Sequence, residues 1–450
     1  MRSVATSRAK PRLTVVGAGL AGCEAAWQAA ERGVAVTLVE MKPARRSPAH
    51  VSDEFAELVC SNSLRASGLA NAVGLLKEEM RRLDSVVMRA ADRTAVPAGR
   101  ALAVDRVAFS RAVSDALTSH PGVTVEHRVV SEVPGDGATI LATGPLTEPE
   151  LARDLQRVLG EEHLYFYDAI SPIVHADSID PCIAFRASRY EDGEGDYLNL
   201  PLDREAYERF VTDLLDAEKV PLHAVEASLF FEGCLPIEEM ARRGRDTLAF
   251  GPMKPVGLVD PRTGARPHAV VQLRQEDEHG ALYNLVGFQT RLRIGEQQRV
   301  LRALPGLSKA VFARYGAVHR NTYVNAPLRM TADLRLRERP QVRLAGQMAG
   351  VEGYVESAAL GLLAGVFAAA QANGDEPSLP PPTTAHGALL RHLQAADPRR
   401  FQPTNVNYGL FPPLAEVPRR MSRREKNDRL AERALADFDV WRSRIGGPSA

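Results

Sequence analysis

Residues 13–40 admit few arrangements other than strand, tight turn, helix and second strand. Leu13, Val15 and Val16 are apolar and partly β-branched, as suits a strand covered on both faces. Gly17, Ala18, Gly19, Leu20, Ala21 and Gly22 then form G-x-G-x-x-G. The first glycine permits the turn, the second lets backbone N–H groups approach a pyrophosphate, and the third lets helix and strand pack closely. Residues 20–32 are Ala-rich and helix-favouring, and the start of that helix offers unpaired N–H groups and a partial positive charge to a phosphate. Gly33 ends the helix, and the strand at 34–39 runs into Glu40, whose carboxylate suits the ribose hydroxyls of an adenosine. Glycines alone would be weak evidence; the strand before them, the helix after and the acid at the end agree on a dinucleotide site.

At 450 residues the chain has room for two or three domains of about 150 residues each. Lys+Arg and Asp+Glu both number 56, so any nucleic-acid site must be a local patch rather than a basic surface overall. The basic N-terminus followed by an apolar run superficially resembles a signal peptide, but three glycines and Glu24 interrupt it. The longest apolar helical run, residues 358–370, falls short of the roughly 20 residues a bilayer needs, so no membrane partner is expected. The four cysteines lie far apart with no C-x-x-C, which argues against a zinc site or close redox pair and for a reduced cytoplasmic setting.

Further helices are expected at 75–83, 104–117 and 204–218, with strand-like runs at 269–273 and 282–288. A strand leads into Thr143-Gly144-Pro145, a second place where backbone approaches a cofactor. At 342–365 strand, glycine loop and helix recur, with Gly346, Gly350, Gly353 and Tyr354 at a second phosphate- or flavin-facing helix start. No other G-x-G-x-x-G exists, so one dinucleotide is held and any nicotinamide visits without its own domain. A charged helix at 423–437 reads as a solvated face.

Two thiols stand out. Cys60 precedes Ser61-Asn62-Ser63 in a polar loop with Arg65 near in sequence, a setting for a reactive rather than a buried thiol. Cys234 precedes Pro236 and a helix bearing Glu238 and Glu239, so it stands at or near a cap, where thiolate is favoured. Cys23 lies inside the first helix and is assigned to packing; Cys182 receives no role. Arg242, Arg243 and Arg245 follow the Cys234 helix, and Arg291 and Arg293 follow GFQT. Arginine clusters are usually solvated faces; two beside a candidate thiol make a phosphate-binding patch.

GAGLAGCEAAW, FAELVCSNSLR, AVGLLKEEMR, VPAGRALAVDR, FFEGCLPIEEMARRG, FGPMKPVGL, AVVQLRQ and AGQMAGVEGYVESAALGL occur in this order between Gly17 and Leu362. Together they closely resemble the folate- and FAD-dependent tRNA (uracil-5-)-methyltransferases, the TrmFO family. The resemblance covers about four-fifths of the chain and is loose after Gly365. One departure is Leu200, where the family often carries Cys. The larger flavoprotein family MnmG shares the opening glycine motif but lacks FAELVCSNSLR.

The resemblance implies an α/β fold: a glutathione-reductase-like FAD-binding (Rossmann) domain, discontinuous in sequence, with a smaller α/β domain inserted. Residues 1–186 and 316–372 would form the FAD-binding domain and 187–315 the insert. Residues 373–450 would be a Pro-rich linker and a helical tail. It further implies methylation of a tRNA T-loop uridine (position 54) at C5, with 5,10-methylenetetrahydrofolate as carbon donor, no metal, and Cys60 and Cys234 as the chemical residues. A methylene group needs two more electrons to become methyl; reduced FAD can supply them and NADH or NADPH can restore the flavin. An MnmG-like wobble-uridine modification and a ribosomal-RNA target of the same family stay open at this point.

Overall fold

The computed structural model describes residues 12–446, apart from residues 48, 161–163, 170, 190–194, 221–234 and 416–420. The chain builds a five-stranded parallel sheet ordered, by strand, Val342–Leu344, Ala138–Leu141, Arg12–Val16, Ala35–Glu40, Val123–His127. The first strand pairs Leu13 with Val36 on one side and Ala138 on the other, so the N-terminal segment lies in the middle of the sheet. The edge strand Val342–Leu344, which pairs with Ala138–Leu141, comes from about 330 residues after the first, as the recurrence of strand, glycine loop and helix required.

Helix Leu20–Ala30 is buried along its whole length, and so is most of Tyr354–Asn373. The two pack backbone to backbone. A Cβ added to Gly361 would lie 2.1 Å from the Ala21 carbonyl oxygen, and one added to Gly365 would lie 2.4 Å from that of Ala25. This approach leaves no room for any side chain on those glycines. The Tyr354–Asn373 helix has 20 residues, longer than the apolar run at 358–370 suggested. By length and composition it is able to cross a membrane, but 83% of its apolar window is buried inside the protein.

A second core, drawing on residues between Val174 and Phe312, surrounds a six-stranded antiparallel sheet. Its strands run in the order Phe185–Arg186, Tyr197–Leu202, Ala269–Gln275, Leu282–Leu285, Ile173–His175, Phe312–Arg314. The antiparallel pair Leu164–Ala169 and Val318–Tyr323 carries the chain into and out of this region. The expected helix at 104–117 is corrected. Val104 ends a strand, Ala101–Val104, and Asp105 caps the helix Arg106–Ser119 by accepting from the Val107 and Ala108 amides. The tail helix Arg423–Arg444 is more than a solvated face: Leu430, Ala431, Ala434, Phe438 and Trp441 are buried in the first core.

Replacing Gly361 with Ala forces the two central helices apart and should cost about 1–3 kcal/mol. Thermal unfolding checks this against Gly68→Ala, whose added methyl meets nothing within 4 Å and should leave the midpoint unchanged.

Candidate functional site

A cleft runs along the carboxyl ends of strands Arg12–Val16, Ala35–Glu40 and Ala138–Leu141, where open α/β sheets receive ligands. Gly17, Ala18, Gly19, Leu20, Ala21, Glu40, Thr143, Gly144, Gly346 and Tyr354 all line it. The starts of both central helices face it, so two positive helix ends converge on one space.

The three glycines of the turn divide their work as the motif requires. Gly17 has φ +98°, and a Cβ there would sit 2.7 Å from the Ala142 carbonyl oxygen. A Cβ on Gly22 would lie 1.7 Å from the Gly17 carbonyl oxygen, so this glycine serves packing. A Cβ on Gly19 would meet no protein atom within 4 Å, yet it would enter the cleft at the helix start. The buried Glu40 carboxylate accepts from the Ala18 amide at 2.7 Å and the Lys42 amide at 3.0 Å. It thereby pins the turn while keeping lone pairs for ribose hydroxyls. These residues fit the pyrophosphate and ribose of an FAD.

His50 and Gln347 also line the cleft, as do Lys42, Arg128 and Val130, which had no motif to announce them. Burial, together with the nearby Lys42 charge, holds His50 below its usual pKa. Gly350 and Gly353 are not lining residues. Both have positive φ and shape the late loop; a Cβ on Gly350 would strike Phe401 at 2.4 Å, and one on Gly353 would strike Glu356 at 2.5 Å. The Thr143 hydroxyl lies 2.7 Å from that of Thr147.

Cys60 is half-buried in the loop before strand Ser63–Ala66, with its Sγ 2.9 Å from the Tyr354 hydroxyl. That hydroxyl also accepts from the Cys60 amide at 2.7 Å and the Ser61 amide at 3.3 Å. Burial, and next the charge a Cys60 thiolate would carry, push the Tyr354 pKa well above its usual value, so the phenol stays protonated. Tyr354 is the first residue of the central helix that also lines the cleft, and one helix start therefore touches both thiol loop and cofactor space.

Arg65 does not serve Cys60 as its position in the sequence suggested. Its backbone is left-handed at φ +62°, and its guanidinium is paired with the fully buried Glu356. Three other arginines, Arg106, Arg274 and Arg314, interact electrostatically with Cys60, and the first two hydrogen-bond to its loop at Leu58, Ser61 and Asn62. Asn62, expected to be solvated, is completely buried. It donates to Val104 and Gln275 carbonyls at 3.0 and 2.9 Å and accepts from Arg274 at 2.9 Å. The only earlier sign of this network was that Arg106 and Arg274 both lie inside long motifs, VPAGRALAVDR and AVVQLRQ.

Cys234 falls outside the described residues. Just after it, Pro236 caps the helix Ile237–Arg242, whose buried Glu238 accepts from the Thr290 hydroxyl and the Arg291 amide, both at 2.8 Å. Arg242, Arg243, Arg245 and Arg293 are exposed. Arg291 is 12% exposed and paired with Glu239, a structural tie rather than an open phosphate contact. Cys23 is fully buried, as assigned, and burial pushes its thiol pKa up. Among the described residues, no cluster of three or more His, Cys, Asp or Glu is arranged to hold a metal ion.

Gly19→Val should leave the thermal midpoint of the cofactor-free protein in place while sharply lowering bound FAD, read from visible absorbance after desalting. Gly22→Val should instead prevent folding, because its methyls collide with backbone.

The profile of the family described as "Glucose inhibited division protein A" matches residues 12–376. A protein of Geotalea uraniireducens named methylenetetrahydrofolate–tRNA-(uracil-5-)-methyltransferase TrmFO is 58% identical over 433 residues, covering 96% of this chain and 99% of its own. A protein of the same name from Syntrophotalea carbinolica is 57% identical over 440 residues, covering 98% and 95%. Among solved structures, Aquifex aeolicus GidA superposes with a TM-score of 0.69 at 17% identity, over 96% of this chain and 76% of that one. That likeness establishes a GidA-like fold. Sequence identity of this order over nearly the full length on both sides, joined to the glycine turn, Glu40 and the Cys60 loop, places the chain in the GIDA family and, within it, among the TrmFO methylenetetrahydrofolate–tRNA-(uracil-5-)-methyltransferases.

Proposed function

We infer that this protein holds FAD and methylates C5 of a uridine in tRNA, the T-loop uridine at position 54, using 5,10-methylenetetrahydrofolate as carbon donor and NADH or NADPH as electron source. The observation that carries the reading is the Cys60–Tyr354 contact. It supports the reading because the Cys60 thiol and the cleft meet at one helix start. A redox cofactor alone would need no such thiol, and a thiol alone would need no dinucleotide fold.

Uracil C5 is a poor nucleophile. The Cys60 thiolate adds at C6, forming the S–C6 bond and moving the ring electrons through C5 onto the O4 enolate. C5 then attacks the methylene carbon of the folate; loss of the C5 proton expels the folate nitrogen and leaves an exocyclic methylene on the ring, and hydride addition to that methylene expels the Cys60 thiolate and restores the ring. Bound and reduced, FAD supplies the hydride that converts the methylene to methyl. Tyr354 holds the Cys60 loop through two amides and keeps its proton beside the thiol. Cys234 is assigned a supporting place against the flavin. Arg242, Arg243, Arg245 and Arg293 supply the RNA phosphate contacts; the exposed Arg242 and Arg293 pair at 3.3 Å with the half-buried Glu239 and the exposed Glu218, weak pairs that a phosphate can replace. Arg291 braces that surface from below.

Unmodified tRNA incubated with methylenetetrahydrofolate and NADH or NADPH should yield 5-methyluridine on nucleoside analysis; absence of the product overturns the reading. A T-arm RNA carrying 5-fluorouridine should trap a covalent adduct, because fluorine replaces the proton that must leave C5. Cys60→Ala should abolish that adduct with FAD retained, whereas Cys234→Ala should retain the adduct and lose flavin. RNA affinity should fall steeply with added salt despite the zero net charge, and charge reversal at Arg242, Arg243 and Arg245 should flatten the slope.

A further inference from the structure

The loop that carries Cys60 is held by two arginines arriving from opposite sides of the molecule. Arg106 opens the helix Arg106–Ser119 in the first core. It donates through Nη1 to the Leu58 carbonyl and through Nε to Glu276, both at 2.6 Å. Arg274 comes from the strand Ala269–Gln275 of the second core, and donates to the Ser61 hydroxyl at 2.7 Å and to Asn62 at 2.9 Å. The two therefore grip the chain just before and just after the thiol. Glu276, 3% exposed, belongs to the second core's side and neutralises Arg106.

Arg106, Arg274 and Arg314 interact electrostatically with Cys60 from three elements, beside the neutral Tyr354 phenol, while Glu276 pairs with Arg106 and Glu57 lies near Lys42. The Arg106 Nη2 is buried and has no partner among the described residues, and Glu276 keeps one unpartnered carboxylate oxygen as well. Burial works against the Arg106 charge, but Glu276 outweighs it and holds the guanidinium above its usual pKa. The cation is thus fixed, desolvated and incompletely used, in a place where an anion is worth more than it is in water.

We propose that Arg106 and Arg274, one from each core, form a clamp that positions Cys60 and stabilises its thiolate, with the Glu276 carboxylate competing for the Arg106 charge. They are positioning residues, acting on the reaction through the thiol. Because half of the clamp belongs to the second core, the thiol is reactive only while the two cores are docked. The proposal rests on Cys60 being the reactive thiol, and its test reads the thiol without RNA or folate.

The FAD-loaded protein is treated with iodoacetamide across a range of pH, and alkylation of the Cys60 peptide is followed by mass spectrometry. Arg106→Gln removes the cation and should move the midpoint of the rate profile upward by about one pH unit, equivalent to about tenfold slower alkylation on the acidic side. Glu276→Gln removes the anion that competes for Arg106 and should move the midpoint downward. Arg106→Lys keeps a charge without the fork and should restore most of the Arg106→Gln loss. General loosening would move both neutral variants in the same direction, so shifts of one sign, or none, overturn the clamp. Should Arg106→Gln not fold, Glu276→Gln carries the test by itself: a downward shift supports the clamp and any other result refutes it. The 5-fluorouridine adduct on the unaltered protein tests the separate reading of Cys60, and its absence alongside opposite shifts would leave the clamp standing and remove the nucleophile.

Discussion

Everything in this molecule depends on how closely two helix backbones approach. Gly361 and Gly365 let the Tyr354–Asn373 helix rest on the Ala21 and Ala25 carbonyls of the first helix, with no side chain between. That contact brings both helix starts to the same end of the sheet. Anion binding there then needs no lysine or arginine in the motif itself, because two sets of free N–H groups and two dipoles are already aimed at one space. The same contact fixes Gly346 against Ala21, where an added Cβ would lie 2.9 Å from the alanine methyl. It also sets Tyr354, and through it the thiol loop, at a defined distance from the cleft.

The second organising constraint is electrostatic. A thiol in a polar loop is ordinarily mobile and mostly protonated at neutral pH. Here the loop is tied at its amides by a phenol and at its flanks by guanidinium groups, while Asn62 is sealed beneath it with all of its amide hydrogen-bonding used. Burying that much polarity is tolerable only because nearly every group is matched. Two atoms of the ion pair that flanks the loop, Arg106 Nη2 and Glu276 Oε1, have no partner among the described residues.

How much of this could be read in the sequence follows from the range of each interaction. The strand–glycine–helix–strand unit and Glu40 were legible because every partner lies within a short stretch whose periodicity is its own evidence. The late glycine loop was legible for the same reason. Arg65 misled because nearness in sequence was taken as nearness in space; a left-handed residue turns its side chain to Glu356 instead. Arg274 and Arg106 were invisible as partners of the Cys60 loop, since no local pattern links positions 48 and 213 apart. The central helix was drawn too short because Tyr354, Glu356 and Ser357 interrupt its apolar run, and these are residues that face the thiol, Arg65 and the cleft. Cleft-lining Lys42 and Arg128 carried no signature, since one basic residue in a loop looks like any other.

The dependence of the first helix on a partner some 340 residues downstream sets an order of events during synthesis. The amino-terminal strand and helix leave the ribosome with their central packing surface, the Ala21–Ala25 ridge, uncovered, and it stays uncovered until the chain has been made past residue 373. The second core is complete by residue 312 and closes mainly on itself, so it is able to consolidate while the first core waits. The nascent chain must therefore carry an unfinished parallel sheet and an apolar helix face through most of its translation. Contacts this distant form slowly. Emergence of the Tyr354–Asn373 helix, rather than of the nucleotide-binding motif, marks the moment at which the cleft first exists.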